Sequence, residues 1–130
     1  MATTHNFKNT IAIVDGNIIT GYMDGDSISV EKNEDEVTQH VGADGSVTFN
    51  ESNDNTGTIV LTIKQDSPSA PILDALRKSK RVFATEINDT ANGVRVGGSQ
   101  CRIVKAPART FGAEVTGLEY TILVADYKEA

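Results

Sequence analysis

Ile59-Val60-Leu61-Thr62-Ile63-Lys64 and Leu118-Glu119-Tyr120-Thr121-Ile122-Leu123-Val124 are the stretches that decide the fold. In the first, Ile59, Leu61 and Ile63 alternate with Val60, Thr62 and Lys64. In the second, Leu118, Tyr120, Ile122 and Val124 make one continuous apolar row. Successive side chains of a strand point to opposite faces, so each stretch reads as a strand with one buried side. The length of the second row predicts a central strand. Val, Ile and Thr number 37 against 5 Leu in a chain of 130 residues, and branching at Cβ favours extended backbone. Most of the chain is therefore expected to be strand.

Further strands are predicted at 9–14, 18–22, 27–32, 47–50, 82–87 and 94–104, separated by Gly, Asp and Asn. Asp15-Gly16-Asn17 favours a hairpin turn, and Gly97-Gly98 marks a bulge or turn inside its run. One helix is expected between Asp66 and Lys80, with Ile72, Leu73 and Leu76 on its apolar side. Ser67 is its expected cap and Pro68 its first residue, although Pro71 restrains Ala70 and can delay regular helix to Pro71. Residues 106–112 read as connector. The fold class is mainly β, organised as a single domain over 1–130.

Eighteen acidic against twelve basic side chains give a net charge of −6, which argues against general nucleic-acid affinity. Cys101 is the single cysteine, so neither an intramolecular disulfide nor a multi-cysteine metal site is expected. His5 and His40 lack neighbours at metal-ligand spacing. Asp24-Gly25-Asp26 and Asp54-Asn55 lack the spaced ligands of a calcium loop, and GVRVGG at 93–98 fits no phosphate-binding motif. Neither cofactor nor enzymatic activity is expected. No segment has the apolar length of a membrane-spanning helix, and residues 1–10 lack the pattern of a signal peptide. Lys78, Lys80 and Arg81, near Arg77 at the end of the helix, complement its negative dipole end.

The segment 33–45, NEDEVTQHVGADG, is longer than an ordinary hairpin connection between its flanking strands. Glu34, Asp35 and Glu36 make it acidic, while Val37, Val41 and Ala43 give it a sparse apolar side. It reads equally as an arm that orders against another copy and as a solvated loop.

Gly21-Tyr22-Met23-Asp24-Gly25-Asp26, running into Ile28-Ser29-Val30-Glu31-Lys32-Asn33-Glu34-Asp35 and then His40-Val41-Gly42-Ala43-Asp44-Gly45, resembles tail tube proteins of tailed bacteriophages. The resemblance is strongest to those with contractile tails. Ser52-Asn53-Asp54, the strand at 57–65 and Ser67-Pro68-Ser69 extend it to roughly residues 7–127. It implies an antiparallel β-sandwich or barrel with one flanking helix, related to the haemolysin-coregulated tube proteins. It further implies a virion protein, assembled in host cytoplasm, whose hexameric rings stack into a tube for DNA ejection. The same fold also serves tube-initiator or tail completion proteins and secretion-system injection tubes. Implied partners are other copies of the chain, tail sheath, tape measure and baseplate or initiator proteins, with DNA as transiting cargo. Glu34, Asp35, Glu36, Val37, His40, Val41 and Asp44 would then contact the next ring. Lys78, Lys80 and Arg81 become candidate basic partners on a neighbouring copy. Ser27, Ser29, Glu31, Thr58, Val60, Thr62 and Lys64 become candidates for the lumen-facing row.

Overall fold

A computed structural model describes residues 10–23, 27–33, 35–51, 55–114 and 116–129. Its strands are β1 (Thr10–Val14), β2 (Asn17–Ile18), β3 (Ile28–Lys32), β4 (Val37–Val41), β5 (Val47–Glu51), β6 (Gly57–Lys64), β7 (Phe83–Asp89), β8 (Val94–Ile103), β9 (Gly117–Val124) and β10 (Lys128–Glu129). A single helix, α1, spans Ala70–Ser79 among the described residues. The main sheet is antiparallel with order β2-β1-β7-β8-β9-β6-β3, and β10 adds to β8. The chain is thus mainly β, as its alternation predicts. The sheet does not close into a barrel, because β2 and β3 remain at its two edges.

β6 and β9 pair along their full lengths, from Gly57↔Val124 to Lys64↔Gly117. β9 also pairs with β8, which gives it the central position its apolar row predicts. Ile59, Leu61 and Ile63 from β6 and Leu118, Tyr120 and Ile122 from β9 have no exposed surface. Ala12 and Val14 of β1, at the far side of the sheet, are equally buried in the same cluster. One ten-residue helix is too small to cover both sides of a flat seven-strand sheet, whose strands lie about 4.8 Å apart. The sheet therefore folds its two sides toward one another around a shared core, with α1 packed on it through Ala70, Leu73 and Leu76.

The turning point is β8. Its first half pairs with β7 and β10, while Cys101, Arg102 and Ile103 pair with β9. Between Phe83↔Cys101 and Thr85↔Gly98 the register shifts, leaving an extra residue on β8. The bulge falls at Ser99 and Gln100, directly after the Gly97-Gly98 pair that marks it. Gly97 has φ +149°, and a Cβ there would fall on the Thr85 carbonyl oxygen. Asp126 fills the gap in the ladder: its carboxylate accepts hydrogen bonds from the Ser99 and Gln100 amides (3.0 and 2.9 Å) and from the Ser99 hydroxyl. The Ser99 hydroxyl is the main reason its carboxyl lies below the ordinary carboxylate range, with both amides adding to the effect.

α1 opens at Ala70, later than a Ser67 cap and Pro68 start would place it, with Ser69 as N-cap and Pro71 in the first turn. Both serines also serve tertiary bonds, and the Ser67 oxygen still accepts the Ser69 amide (3.1 Å) just before the helix. The Ser67 hydroxyl donates to the Thr20 carbonyl (2.6 Å), and the Ser69 hydroxyl accepts from the Thr20 amide (3.0 Å). From the helix, Asp74 accepts a bond from the buried Tyr120 hydroxyl of β9 (3.1 Å) and an ion pair from Arg109 (2.7 Å) in the 104–116 connector. Burial, followed by the Asp74 charge, pushes the Tyr120 hydroxyl up to about 12. This network fastens helix and connector to the central strand.

Asp126→Ala is expected to lower unfolding free energy by about 1–2 kcal/mol at pH 7, since exposed hydrogen bonds to a carboxylate are modest individually. Because the folded pKa is depressed, this contribution is complete above about pH 4 and is lost as pH falls through the folded value. Denaturant titrations at neutral and acidic pH should therefore show the variant's deficit shrinking in acid. Gly97→Ala, which places a methyl group against backbone, is expected to cost more than Asp126→Ala in the same measurement.

Candidate functional site

β4 and β5 belong to no part of the main sheet; they pair only with each other, from Val37↔Glu51 to Val41↔Val47. This corrects two sequence expectations. The 33–45 segment is not a connector between two main-sheet strands, and Val47–Glu51 is not a core strand. Together they form a hairpin arm between β3 and β6. Its tip is a three-residue loop in which the Gly45 amide bonds the Gly42 carbonyl (3.0 Å) and the Gly42 amide bonds the Ser46 carbonyl (2.8 Å). Asp44, expected at an interface, closes this turn by accepting from the Ser46 amide (3.1 Å) and hydroxyl (2.7 Å). Those bonds hold its carboxyl below the usual range. At the root, the Asn33 side chain donates to Thr56 Oγ1 (3.0 Å) and accepts from Thr58 Oγ1 (2.6 Å), joining the arm to the edge of the sheet.

The register places Val37, Gln39 and Val41 on one face with Val47, Phe49 and Glu51, and Thr38, His40, Thr48 and Asn50 on the other. The first face is apolar and uncovered: Val37 is 51% exposed, Val41 55%, Val47 51% and Phe49 68%. A two-stranded hairpin is marginal alone in water, so this face needs a cover to become rigid. Sequence reasoning found half of it and missed Val47, Phe49 and Glu51. A charge signal was present: residues 33–56 hold six Asp or Glu and no Lys or Arg. The rest of the chain has twelve of each sign, so the whole net charge of −6 resides in this one segment.

The remaining candidate residues divide. Asp35 is exposed, whereas Glu36 pairs with Lys32 (3.3 Å). Glu34, Asp24-Gly25-Asp26, Ser52-Asn53-Asp54 and His5 lie outside the described residues. Lys78 and Lys80 are exposed with no ion pair among the described residues, but Arg81 pairs with Asp15 in its own chain. That pairing removes Arg81 from the set of uncommitted cations. Ser29, Glu31, Thr58, Val60, Thr62 and Lys64 lie together on the sheet face opposite the core. Ser27 does not share their exposure: it is 6% exposed, and its hydroxyl bonds the Met23 carbonyl. Glu119, Thr121 and Leu123 of β9 and Arg102 of β8 continue the same face. Its charged groups are therefore two acids, Glu31 and Glu119, and two bases, Lys64 and Arg102.

A family model described as "Bacteriophage PhiTE tail tube protein" matches residues 2–128. The chain belongs to this tail tube family. No curated protein matches it. Among solved structures, this tail tube family member is similar to a chain of the PVC sheath/tube terminator of an extracellular contractile injection system in its extended state. That likeness has a TM-score of 0.71 and 12% identity, over 99% of this chain and 98% of the other. The tube terminating cap of the anti-feeding prophage gives 0.70 at 10% identity, over 100% and 94%. A chain of the PVC sheath-tube complex in its extended state gives 0.66 at 12% identity, over 93% and 87%. At these identities the likenesses show a shared fold.

In unassembled protein, the β4–β5 amides are expected to exchange with deuterium faster than those of β6 and β9 by several orders of magnitude. The difference follows from the missing core behind the hairpin, and mass-resolved hydrogen exchange measures it.

Proposed function

We propose that this chain is the structural subunit of a phage tail tube, in which hexameric rings stack into a conduit for DNA ejection. The observation that carries the reading is the arm: an acidic hairpin with four exposed apolar side chains that its own chain leaves uncovered. An extended element whose complement lies elsewhere on an identical molecule makes a heterologous contact, which propagates instead of closing. The arm reaches the next ring, with Val37, Val41, Val47 and Phe49 inward and the acidic groups at its margins. The outward face of β3 and β6, continued by Glu119 and Thr121 of β9, lines the lumen. Its Ser and Thr residues and its three charged groups, Glu31, Glu119 and Lys64, offer no row of cations to hold phosphate and no aromatic platform for bases, so DNA passes without being retained. The work is assembly, with no catalysis. Sheath, tape measure and baseplate or initiator proteins are the heterologous partners, in a virion built in the host cytoplasm.

A second reading is a terminator or initiator ring at one end of the tube; it is favoured by the likeness to a sheath/tube terminator and a tube terminating cap. Electron microscopy and sedimentation of the purified full chain separate the two. The tube reading expects hollow filaments with six-fold end views. Replacing residues 35–54 by a short Gly-Ser link is expected to leave rings without filaments. Single rings of the intact chain at all concentrations would favour the terminator reading, and strictly monomeric protein at high concentration would overturn the tube reading.

A further inference from the structure

The arm's apolar face requires a receiving surface, and the stacking reading leaves that surface unassigned. Among the exposed grooves of the described structure, the one holding Phe111 and Ala113 also carries Asp66 and Glu114 and so repels an acidic arm, which leaves three to weigh. The groove over β7 and β8 contains Ile13, Ala84 and Val96, but its Arg95 is already paired with Glu86 (2.8 Å), and that Glu86 carboxylate lines the groove together with its other cation, Lys128. The groove beside α1 contains Ile72 and Leu76, and its Arg81 is occupied by Asp15. The third lies across the β8–β9 end of the outward sheet face, lined by Val82, Leu123, Ala125, Gln100 and Arg102. Val82 is 54% exposed and Leu123 48%. Arg102 has no ion pair among the described residues, and Lys80, also without one, lies two residues before Val82 in the chain.

We infer that this third groove receives the β4–β5 arm of a second copy, with Phe49 and its neighbouring valines against Val82 and Leu123. The inference rests on the stacking reading and deepens it by naming the receptor. Complementarity carries it. The segment 33–56 that carries the arm combines apolar side chains with the chain's entire net negative charge, and the groove combines apolar side chains with an uncommitted guanidinium. An arginine lacking an acidic partner is suited to an incoming carboxylate, and Glu51 lies in the arm's apolar row opposite Val37. The groove also borders the root of its own arm, at Asn33, Thr56 and Gly57. A copy that docks an arm at the root of the next arm repeats the same relation at every step, as an open stack requires. Each contact is small, but six per ring act together.

The test uses full-length protein and two classes of exposed substitution, with thermal unfolding as the folding check. Phe49→Asp disables the arm; Arg102→Glu and Leu123→Thr disable the groove. Each is expected to lower the filament fraction that pellets by at least tenfold while leaving rings intact. Separately prepared arm-disabled and groove-disabled rings, when mixed, are expected to form two-ring particles and no longer ones, because only one productive junction remains. Hydroxyl-radical footprinting of wild-type protein gives a readout without substitution: Phe49 and Leu123 should lose reactivity together, several-fold, on assembly. Normal filaments from both groove variants, together with failure of Phe49→Asp, would overturn the groove and leave arm-mediated stacking intact. Normal filaments from all three would overturn the stacking role of the arm as well.

Discussion

The pairing of β6 with β9 is the interaction on which the rest of the structure depends. Eight consecutive residue pairs place two apolar rows side by side, and Ile59, Leu61, Ile63, Leu118, Tyr120 and Ile122 are removed from water completely. Full burial of side chains of this size stabilises by roughly 1.5–3 kcal/mol each, so this ladder is the main source of cohesion in a small domain. Every element of the proposed assembly is attached to it. β3 pairs on the outer edge of β6 and leads into the arm; β8 pairs on the other side of β9 and brings Arg102 beside Leu123. Tyr120, through Asp74 and Arg109, ties the helix and the 104–116 connector to the same strand. The rigid ladder therefore sets where the arm leaves the body and where the groove lies.

The ladder was legible in the sequence because both rows alternate without interruption. The helix was legible from Leu73 and Leu76, and the β8 bulge from Gly97-Gly98. Other features depend on partners distant in sequence. Nothing local at Asp126 announces that its carboxylate completes a ladder 26 residues earlier, and nothing local at Ser67, whose oxygen accepts the Ser69 amide, announces that its hydroxyl also donates to Thr20. The alternation of Val47 and Phe49 revealed a face but not what covers it. A face covered by a second molecule and one covered by the chain's own core share the same period. The arm was thus half visible: its acidic first strand stood out as an overlong connection, while its second strand passed for core. Ser27 is the reverse case: its place in an alternating row suggests exposure, but it is buried and its hydroxyl bonds the Met23 carbonyl.

The distribution of charge connects fold and assembly. A net charge of −6 over the whole chain reads as a general repulsion of polyanions, but the segment 33–56 accounts for all of it and leaves a neutral body. On the proposed lumen face Glu31 and Glu119 stand against Lys64 alone. In the proposed stack, repulsion is concentrated where arms face one another before docking, and attraction where an arm meets an uncommitted cation. Such an arrangement favours head-to-tail addition over aggregation of arms through their apolar faces.

The most direct measurement is a cryo-electron microscopy reconstruction of filaments grown from the purified wild-type chain. The account expects a six-fold hollow stack in which each β4–β5 hairpin crosses to the next ring and Phe49 lies against Leu123 and Val82 of the copy it meets. Filaments in which the hairpins remain in solvent and those grooves stay open would contradict it.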